Sequence, residues 1–231
     1  MSVVRHIFVG QSAHAVLLLA LGVCVMLAAR LPGFFDGEFA GVSTQTWFVL
    51  VVANAVVHQL YVWACWRLEL HAGLLTRLMG GAAFPAYAAG FTVLIVARPV
   101  LATLLSLANA GTLPINPDLA RLLAAVLFIP FAYTAYSINR YFGFARAFGI
   151  DHFDPAWRDK PLVRAGIFRF SSNAMYVFGF LVLWIPALYF RSTAAIVAAA
   201  FSHAYIWVHY LTTEKPDMNF IYGRTGVEHG S

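Results

Sequence analysis

Long apolar segments recur along this chain and constrain its fold more than any other feature of the sequence. Six of them run from about Phe8 to Ala29, Thr46 to Trp66, Phe84 to Leu107, Leu119 to Ile138, Ala174 to Phe190 and Thr193 to Leu211. Most approach the roughly 20 residues that a helix needs to cross the hydrocarbon core of a bilayer. Only 11% of all residues are charged, against about 25% in soluble domains. The sequence therefore predicts an all-α polytopic membrane protein with about six transmembrane helices.

The segments between the predicted helices indicate how the chain is arranged. Only Arg191 and Ser192 separate the fifth helix from the sixth, which predicts a tight helical hairpin near the C-terminus. The longest polar segment, residues 139–173, interleaves aromatic with charged side chains. This pattern is typical of a helix that lies in the membrane interface, with its aromatic face toward the acyl chains.

The distribution of basic residues predicts the orientation of the helices. The two termini and the second and fourth connections together hold 11 of the 15 Lys and Arg residues, whereas the opposite side holds 3. Cytoplasmic segments carry such an excess. Both termini and residues 139–173 are therefore predicted to face the cytoplasm, and a bacterial inner membrane is the expected location. The net charge of +5 suits contact with anionic lipid head groups and is too small to indicate nucleic-acid binding.

Two ionisable side chains lie inside predicted helices, where a charge is costly unless it finds a partner. His58 lies in the middle of the second helix, and Arg98 precedes Pro99 inside the third. We expect His58 to be a hydrogen-bonded packing residue, with a role as proton carrier as the alternative. For Arg98 we expect an interfacial anchor, with ligand contact as the alternative. Pro99 should kink the third helix.

Polar and ionisable side chains also crowd the end of the sixth helix. His203, Tyr210 and Glu214 are spaced i, i+7 and i+11 and therefore share one face, and His209 lies on a neighbouring stripe. A carboxylate in this position can hold a ribose hydroxyl, orient a cation or accept a proton. The spacing of six between the two histidines does not place both on one face, so we expect no metal site.

Several enzyme classes lack their sequence signatures here. The chain contains no HExxH motif, no Walker loop, no GxSxG motif and no glycine-rich dinucleotide fingerprint. Zinc-dependent, nucleotide-hydrolysing and serine-hydrolase activities are therefore unsupported by any motif.

The C-terminal half carries a pattern that resembles a known superfamily. The run VRAGIFRFSSNAMYVFGF (Val163 to Phe180) is followed by the apolar hairpin and then by TEKPDMNFIYG, which ends at Gly223. This order resembles the integral-membrane methyltransferases, which include the isoprenylcysteine carboxyl methyltransferases and the phospholipid N-methyltransferases. The usual signature of that superfamily is Arg-His-Pro-x-Tyr, then helices, then a Glu-Glu pair. The residues that match are Gly166, Phe168, Arg169, Phe170, Met175, Tyr176 and Gly179.

The chain departs from that signature at four positions. Asn173 stands in place of the His, Ala174 in place of the Pro, and Ser172 in place of a basic residue. The acidic pair is reduced to Glu214 followed by Lys215. The resemblance covers about residues 119–223, so it implies a methyltransferase core over residues 119–231, which contains helices 4–6, the segment 139–173 and the tail. Residues 1–118 would form three N-terminal transmembrane helices outside that core.

The resemblance implies S-adenosylmethionine as cofactor, bound by helix ends and the C-terminal tail in a pocket that opens to the cytoplasm. Arg169 and Asn173 would hold its carboxylate or adenosine, with Tyr176 packed beside them. Glu214 would bind the ribose or the amino group, and Tyr222 with Gly223 would shape the adenine end. The same pocket would include Gly166, Gly179 and Tyr210.

The resemblance further implies a lipophilic substrate that enters sideways from the bilayer. His203 and His209 would face the reaction centre or the lipid head group, and either Glu214 or His209 could accept a proton from a lipid amine. Arg140 and Arg146 could hold a lipid phosphate, with positive-inside anchoring as the alternative.

Methylation of phosphatidylethanolamine toward phosphatidylcholine is the function that this pattern favours. A carboxyl or thiol methyltransferase acting on a lipophilic substrate remains open within the same chemistry. Outside it, the alternatives are a sterol-reductase-like oxidoreductase that uses a nicotinamide, and a non-catalytic lipid-binding protein or small transporter. The sequence leaves the methyl acceptor, the number of methyl groups transferred, the general base and the oligomeric state open.

Overall fold

The computed structural model describes residues 3–223 of the chain. The first membrane span consists of α1 (Val3–Phe8) and α2 (Gln11–Ala28), which meet at Gly10. Two short antiparallel strands follow, β1 (Glu38–Phe39) and β2 (Val42–Ser43). They lead into α3 (Thr44–Ala72), whose first turn is capped by the side chain of Ser43.

The middle of the chain forms two further spans. The first consists of α4 (Leu74–Met79), a 3₁₀ turn and α5 (Ala83–Ala108), which stays helical through Pro99. The second is α6 (Pro117–Ser137), which continues through a π turn to Phe142. The side chain of Asn116 accepts hydrogen bonds from the first free backbone N–H groups of α6, which fixes where this helix begins.

The polar segment 139–173 does not form a helix along the interface, so that prediction is wrong. It folds into the end of the π turn, the single turn α7 (Phe144–Ala147) and three 3₁₀ turns. Gly143, Gly149 and Gly166 have φ angles of +85°, +79° and +60°. Such positive φ angles suit glycine. Gly143 separates the π turn from α7, Gly149 separates α7 from the next turn, and Gly166 begins the last one, so no longer helix forms.

The C-terminal hairpin is present, but its first arm is broken. That arm consists of α8 (Ala174–Val177), a 3₁₀ turn over Gly179–Leu183 and α9 (Trp184–Tyr189). The second arm is α10 (Thr193–His209), followed by a π turn over Tyr210–Glu214 and by α11 (Lys215–Tyr222). The predicted fifth helix, Ala174 to Phe190, is therefore a chain of short turns and not one regular span.

Within residues 3–223, five helical segments are long and apolar enough to cross a membrane, and the broken arm Ala174–Tyr189 is a shorter sixth. This confirms the predicted all-α polytopic membrane fold. In the interior α10 packs against α2, α3, α5 and α9. Its packed face is rich in alanine, including Ala194, Ala195 and Ala198. Within lipid the hydrophobic effect does not drive helices together, so helix association depends on close packing. Small residues allow it by letting the helix backbones approach closely.

The first and last described segments lie at the same end of the bundle. The indole N–H of Trp63 and the guanidinium of Arg67, near the end of α3, donate to backbone carbonyls of residues 6–9. The Arg67 side chain also forms an ion pair with Asp217 of α11. The turns of segment 139–173 lie at this end too, since Tyr222 donates a hydrogen bond to Asp151. We refer to this end, where α1, the end of α3 and α11 meet, as the site end.

Candidate active site

A cavity of about 500 Å³ lies at the site end, between the end of α3, the turns of segment 139–173 and the helix that follows α10. We call it the polar cavity. Seven predicted site residues line it: Arg146, Asn173, Tyr176, Tyr210, Glu214, Tyr222 and Gly223. Other lining residues were not predicted: Trp66, Phe142, Asp151, His152, Met218 and Asn219.

A second cavity of about 520 Å³ lies deeper in the bundle, between α3, α5, α6, the broken arm and α10. We call it the apolar cavity, because most of its lining consists of side chains such as Ile95, Phe131 and Leu183. Four residues line both cavities and form a shared wall: Trp66, Ala147, Met175 and Tyr176. A polar compartment and an apolar one therefore meet at a single layer of side chains.

Tyr176 and Glu214 form a hydrogen bond at this wall. The Tyr176 hydroxyl donates to Glu214 Oε2, and the Tyr176 ring lies 6.0 Å from the Tyr210 ring. Glu214 ends the π turn that begins at Tyr210. Insertions of this kind shift the side chains that follow around the helix axis and occur frequently at functional sites. The π turn thus helps to bring the carboxylate to the junction of the two cavities.

Arg67 binds three elements of the fold together behind the polar cavity. Its Nε lies 2.6 Å from Asp217 Oδ1, and both side chains are almost completely buried. Its Nη1 donates to the carbonyl of His6 at 2.6 Å, and its Nη2 donates to the carbonyl of Thr213 at 3.2 Å. One guanidinium therefore joins α1, the π turn and α11, so the backbone that carries Glu214 is held from behind.

The 3₁₀ turn Ile150–His152 closes the cavity on its other side. The His152 ring stacks on Trp66 with centroids 4.1 Å apart, and its Nε2 lies 3.5 Å from Asp217 Oδ2. The Tyr222 hydroxyl donates to Asp151 Oδ2 at 2.6 Å. Two carboxylates, Asp151 and Glu214, thus lie in the lining of the polar cavity. The Arg146 guanidinium supplies a cation there, although it also donates to the carbonyls of residues 160 and 161.

The apolar cavity contains a buried polar cluster. Arg98 Nε donates to His58 Nδ1 at 3.0 Å, and Arg98 Nη2 donates to the carbonyl of Ala55 at 3.3 Å. The guanidinium carbon lies 5.3 Å from the centroid of Phe180. Because Arg98 is only 3% exposed, the expectation of an interfacial anchor is wrong. The expectation that His58 is hydrogen-bonded is confirmed.

The remaining predicted site residues lie outside the polar cavity. Gly179 and His209 line the apolar cavity. Gly166 is buried, and the amide of the next residue donates to Ser137 Oγ. His203 accepts a hydrogen bond from the Trp184 indole at 3.1 Å.

The two remaining predicted arginines lie at the protein surface. Arg140 and Arg169 are both exposed. Arg140 lies over the ring of Tyr141, with its guanidinium carbon 5.7 Å from the ring centroid. Neither lines the polar or the apolar cavity.

Most of the unpredicted residues come from distant parts of the sequence. Trp66 and Arg67 lie in α3, about 150 positions before Asp217, and no local pattern links them. Asp217 could have been predicted from the sequence, because it follows Glu214 by three positions and continues the same polar helix face. The adjacent pair Asp151-His152 stood within a segment rich in other charges and was not distinctive.

The polar cavity fits S-adenosylmethionine by size and by chemistry. Its volume lies within the range of about 300–1,000 Å³ that small-molecule sites occupy. Glu214 and Asp151 can accept hydrogen bonds from hydroxyl and ammonium groups, and the side-chain amides of Asn173 and Asn219 can both donate and accept. Aromatic rings in the lining can face a sulfonium cation.

Comparison with known protein families gives a match to the C-terminal half of the chain. Residues 119–225 match the family model described as phospholipid methyltransferase. The match covers just under half of the chain; it includes Tyr176 and Glu214, and leaves His58, Trp66 and Arg98 outside. No curated protein and no solved structure matches the chain. The match confirms the resemblance to the integral-membrane methyltransferases, and with the membrane spans it supports a methyltransferase embedded in a membrane.

Proposed function

We propose that this chain, whose residues 119–225 match the phospholipid methyltransferase family, transfers methyl groups from S-adenosylmethionine to the amino head group of phosphatidylethanolamine. Phosphatidylcholine is the end product of that chemistry. The observation that carries the proposal is the meeting of a polar and an apolar cavity at the wall that contains Tyr176. A reaction between a water-soluble donor and a lipid acceptor requires such a junction.

The polar cavity holds the cofactor in this proposal. Glu214 binds the ribose hydroxyls or the amino group, Asn173 contacts the carboxylate or the adenosine, and Tyr222 with Gly223 encloses the adenine. Arg169 remains a sequence-based assignment to the carboxylate. When bound, S-adenosylmethionine supplies an electrophilic methyl group on a sulfonium, which the acceptor nitrogen attacks as the carbon–sulfur bond breaks. The aromatic side chains in the lining stabilise that cation.

The apolar cavity takes the lipid. Val96 and Val100 of α5 and Ala135 of α6 line this cavity and are also exposed on the outer surface of the bundle. This supports a lateral opening between α5 and α6, through which a lipid enters from the bilayer with its acyl chains trailing toward the membrane. Such an opening keeps the lipid out of water and brings its head group to the shared wall.

The amine must lose a proton before it can attack. Glu214 Oε2 lies at the wall, where the Tyr176 hydroxyl orients it, and we assign this carboxylate as the proton acceptor. His209 in the apolar cavity is the second candidate. Holding the donor and the acceptor in line on the two sides of Tyr176 supplies most of the rate enhancement, since methyl transfer depends on positioning.

The remaining parts of the proposal concern organisation and location. Residues 119–231 form the methyltransferase core, and residues 1–118 add the N-terminal membrane helices. The polar cavity faces the cytoplasm of a bacterial inner membrane. The excess of Lys and Arg at the site end supports this orientation.

The test uses purified protein in nanodiscs that contain phosphatidylethanolamine, with S-adenosylmethionine carrying a radiolabelled methyl group. We expect label in the lipid fraction, and loss of that label in Glu214→Ala. The matched control is Arg121→Gln, which removes an exposed charge far from the site and should leave transfer unchanged. Cofactor binding without lipid labelling would direct the search to carboxyl or thiol acceptors. A protein that binds no S-adenosylmethionine would overturn the proposal.

A further inference from the structure

We infer that Arg98, His58 and His209 bind the phosphodiester group of the acceptor lipid inside the apolar cavity. We call these three residues the Arg98 cluster. The inference rests on the proposed function for the identity of the acceptor, and it assigns a lipid-recognition site to helices that the family match does not cover.

Arg98 is a buried cation without an anion. It is 3% exposed inside α5, and none of the ion pairs within residues 3–223 includes it. Its Nη1 has no hydrogen-bond partner in the described part of the chain. A buried charge that stays unpaired is strongly unfavourable, and intramembrane ionisable residues therefore usually mark a functional site. A ligand that brings an anion removes this cost.

The two histidines add further unpartnered groups to the same cavity. His58 Nε2 and both ring nitrogens of His209 are buried and, within residues 3–223, form no hydrogen bond. All three side chains of the Arg98 cluster line the apolar cavity. An anion with several oxygens can accept hydrogen bonds from all of these nitrogen groups at once. A guanidinium matches the geometry of phosphate oxygens, and imidazole N–H groups can donate beside it.

The position of the Arg98 cluster favours a phospholipid over a simple acid. Phe180 lies near both the guanidinium and the wall: its centroid is 5.3 Å from the Arg98 guanidinium carbon and 6.4 Å from the Tyr176 centroid. An anion bound at Arg98 is therefore close to the site of transfer, because a single ring neighbours both groups. An ethanolamine phospholipid carries its amine a short linker away from its phosphodiester, so both groups can be bound at once. A fatty acid has no second group to present at Tyr176.

This arrangement gives the N-terminal helices a function. His58 and Arg98 belong to α3 and α5, outside residues 119–225, whereas His209 belongs to the matched region. The lipid site is thus completed by helices that are not part of the family match, and acceptor selectivity should change with residues in α3 and α5.

The test measures lipid retention by native mass spectrometry of the full chain. The protein is released from nanodiscs of defined composition that offer phosphatidylethanolamine, phosphatidylglycerol, diacylglycerol or a fatty acid. We expect both phosphodiester lipids to be retained in preference to diacylglycerol and the fatty acid. In Arg98→Gln the retention of both should fall about tenfold or more, because hydrogen bonds to charged groups are lost. Arg121→Gln should retain them as the wild type does.

Two further variants, Gly179→Leu in the apolar cavity and Arg140→Gln at the surface, test where the lipid is bound. Gly179→Leu adds a bulky side chain to this cavity and should reduce retention, although all three side chains of the Arg98 cluster are kept. A Cβ at Gly179 would meet only Thr134 Cγ2, at an ordinary 3.8 Å, so the backbone has room for a side chain to begin there. Unchanged retention in Arg98→Gln would overturn the inference. So would a loss seen in Arg140→Gln instead, which would move the phosphate site to the surface, or a preference for the fatty acid.

A titration with S-adenosylmethionine keeps the two proposals distinguishable. Each variant that loses lipid should still bind the cofactor, since the Arg98 cluster lies outside the polar cavity, and this also shows that the variant is folded. Phosphodiester retention without cofactor binding in the wild type would contradict the proposed function and leave the lipid site standing. Cofactor binding without any phosphodiester preference would contradict the lipid site and leave the proposed function standing.

Discussion

At the scale of single residues, the Tyr176 hydroxyl has a role separable from that of the Tyr176 ring. The hydroxyl orients Glu214, whereas the ring forms part of the wall and packs near Tyr210. Tyr176→Phe should therefore lower kcat by about 10- to 100-fold, because a hydrogen bond to a charged group contributes ~1.5–3 kcal/mol. The Kd for S-adenosylmethionine should rise by a smaller factor, because the ring and the Glu214 carboxylate both stay in the lining of the polar cavity. An unchanged kcat in the nanodisc assay would show that the hydroxyl has no part in transfer.

Arg67 and Asp217 form a buried ion pair on which the site end depends. Asp217→Asn should destabilise the protein by about 3–5 kcal/mol, because it leaves the Arg67 charge buried and uncompensated. The double variant Arg67→Met/Asp217→Leu should lose less than the sum of the two single changes. Full recovery is not expected, since the carbonyls of His6 and Thr213 would lose their donor.

The measurement for this pair is the free energy of unfolding in mixed micelles of increasing denaturing detergent. Additive losses in the double variant would contradict the assignment of Arg67 and Asp217 as one interacting unit.

The sequence predicted several side chains that line the polar cavity, but not the contacts that hold them there. Glu214 and Tyr176 were identified by motif and helical spacing, because both lie in patterns that extend over a few turns. The partners that hold them were not. Arg67 reaches Asp217 across the whole fold, and the stack of His152 on Trp66 joins α3 to a turn far along the chain. Such pairings depend on tertiary packing, which no local pattern encodes.

At the scale of elements, the break between α1 and α2 is required by a close contact. Gly10 has φ +81°, and a Cβ on this residue would collide with the backbone carbonyl of Thr212 in the π turn. Gly10→Ala should therefore destabilise the protein by ~1–3 kcal/mol, through strain at a left-handed residue and displacement of the π turn. It should also reduce methyl transfer, because Glu214 follows Thr212 in the same turn.

The matched control is Gly22→Ala in α2. A Cβ there meets nothing within 4 Å, and the residue is helical. We expect Gly22→Ala to be neutral or slightly stabilising in the same unfolding measurement, since alanine favours the helix. Equal effects of the two substitutions would show that the contact between Gly10 and the π turn is unimportant.

Element boundaries were predictable where hydrophobicity decides them. The predicted third helix, Phe84 to Leu107, differs from α5 by one residue at each end. The broken arm and the turns of segment 139–173 were not anticipated. In segment 139–173, glycines with positive φ interrupt the helix. The broken arm packs closely against α6 and α10, which overrides a composition that would otherwise favour a regular helix.

At the scale of the whole molecule, the unequal distribution of Lys and Arg predicts which end faces the cytoplasm. Single cysteines at Asp159 and Asp118, both exposed, report on the site end and on the opposite end. The background carries Cys24→Ala and Cys65→Ala. With a membrane-impermeant maleimide on intact bacterial cells, Asp118→Cys should react, and Asp159→Cys should react only after permeabilisation. The reverse pattern would place the polar cavity on the outer face.

The two cavities should take two different ligands on opposite sides of Tyr176. Photoaffinity mapping with radiolabelled S-adenosylmethionine, and separately with a diazirine-bearing phosphatidylethanolamine, tests this most directly. The cofactor should label peptides that contain Tyr210 and Tyr222, and the lipid probe should label peptides that contain Ile95 and Phe131. Cofactor labelling within α5, or lipid labelling at Tyr222, would contradict the assignment of one ligand to each cavity.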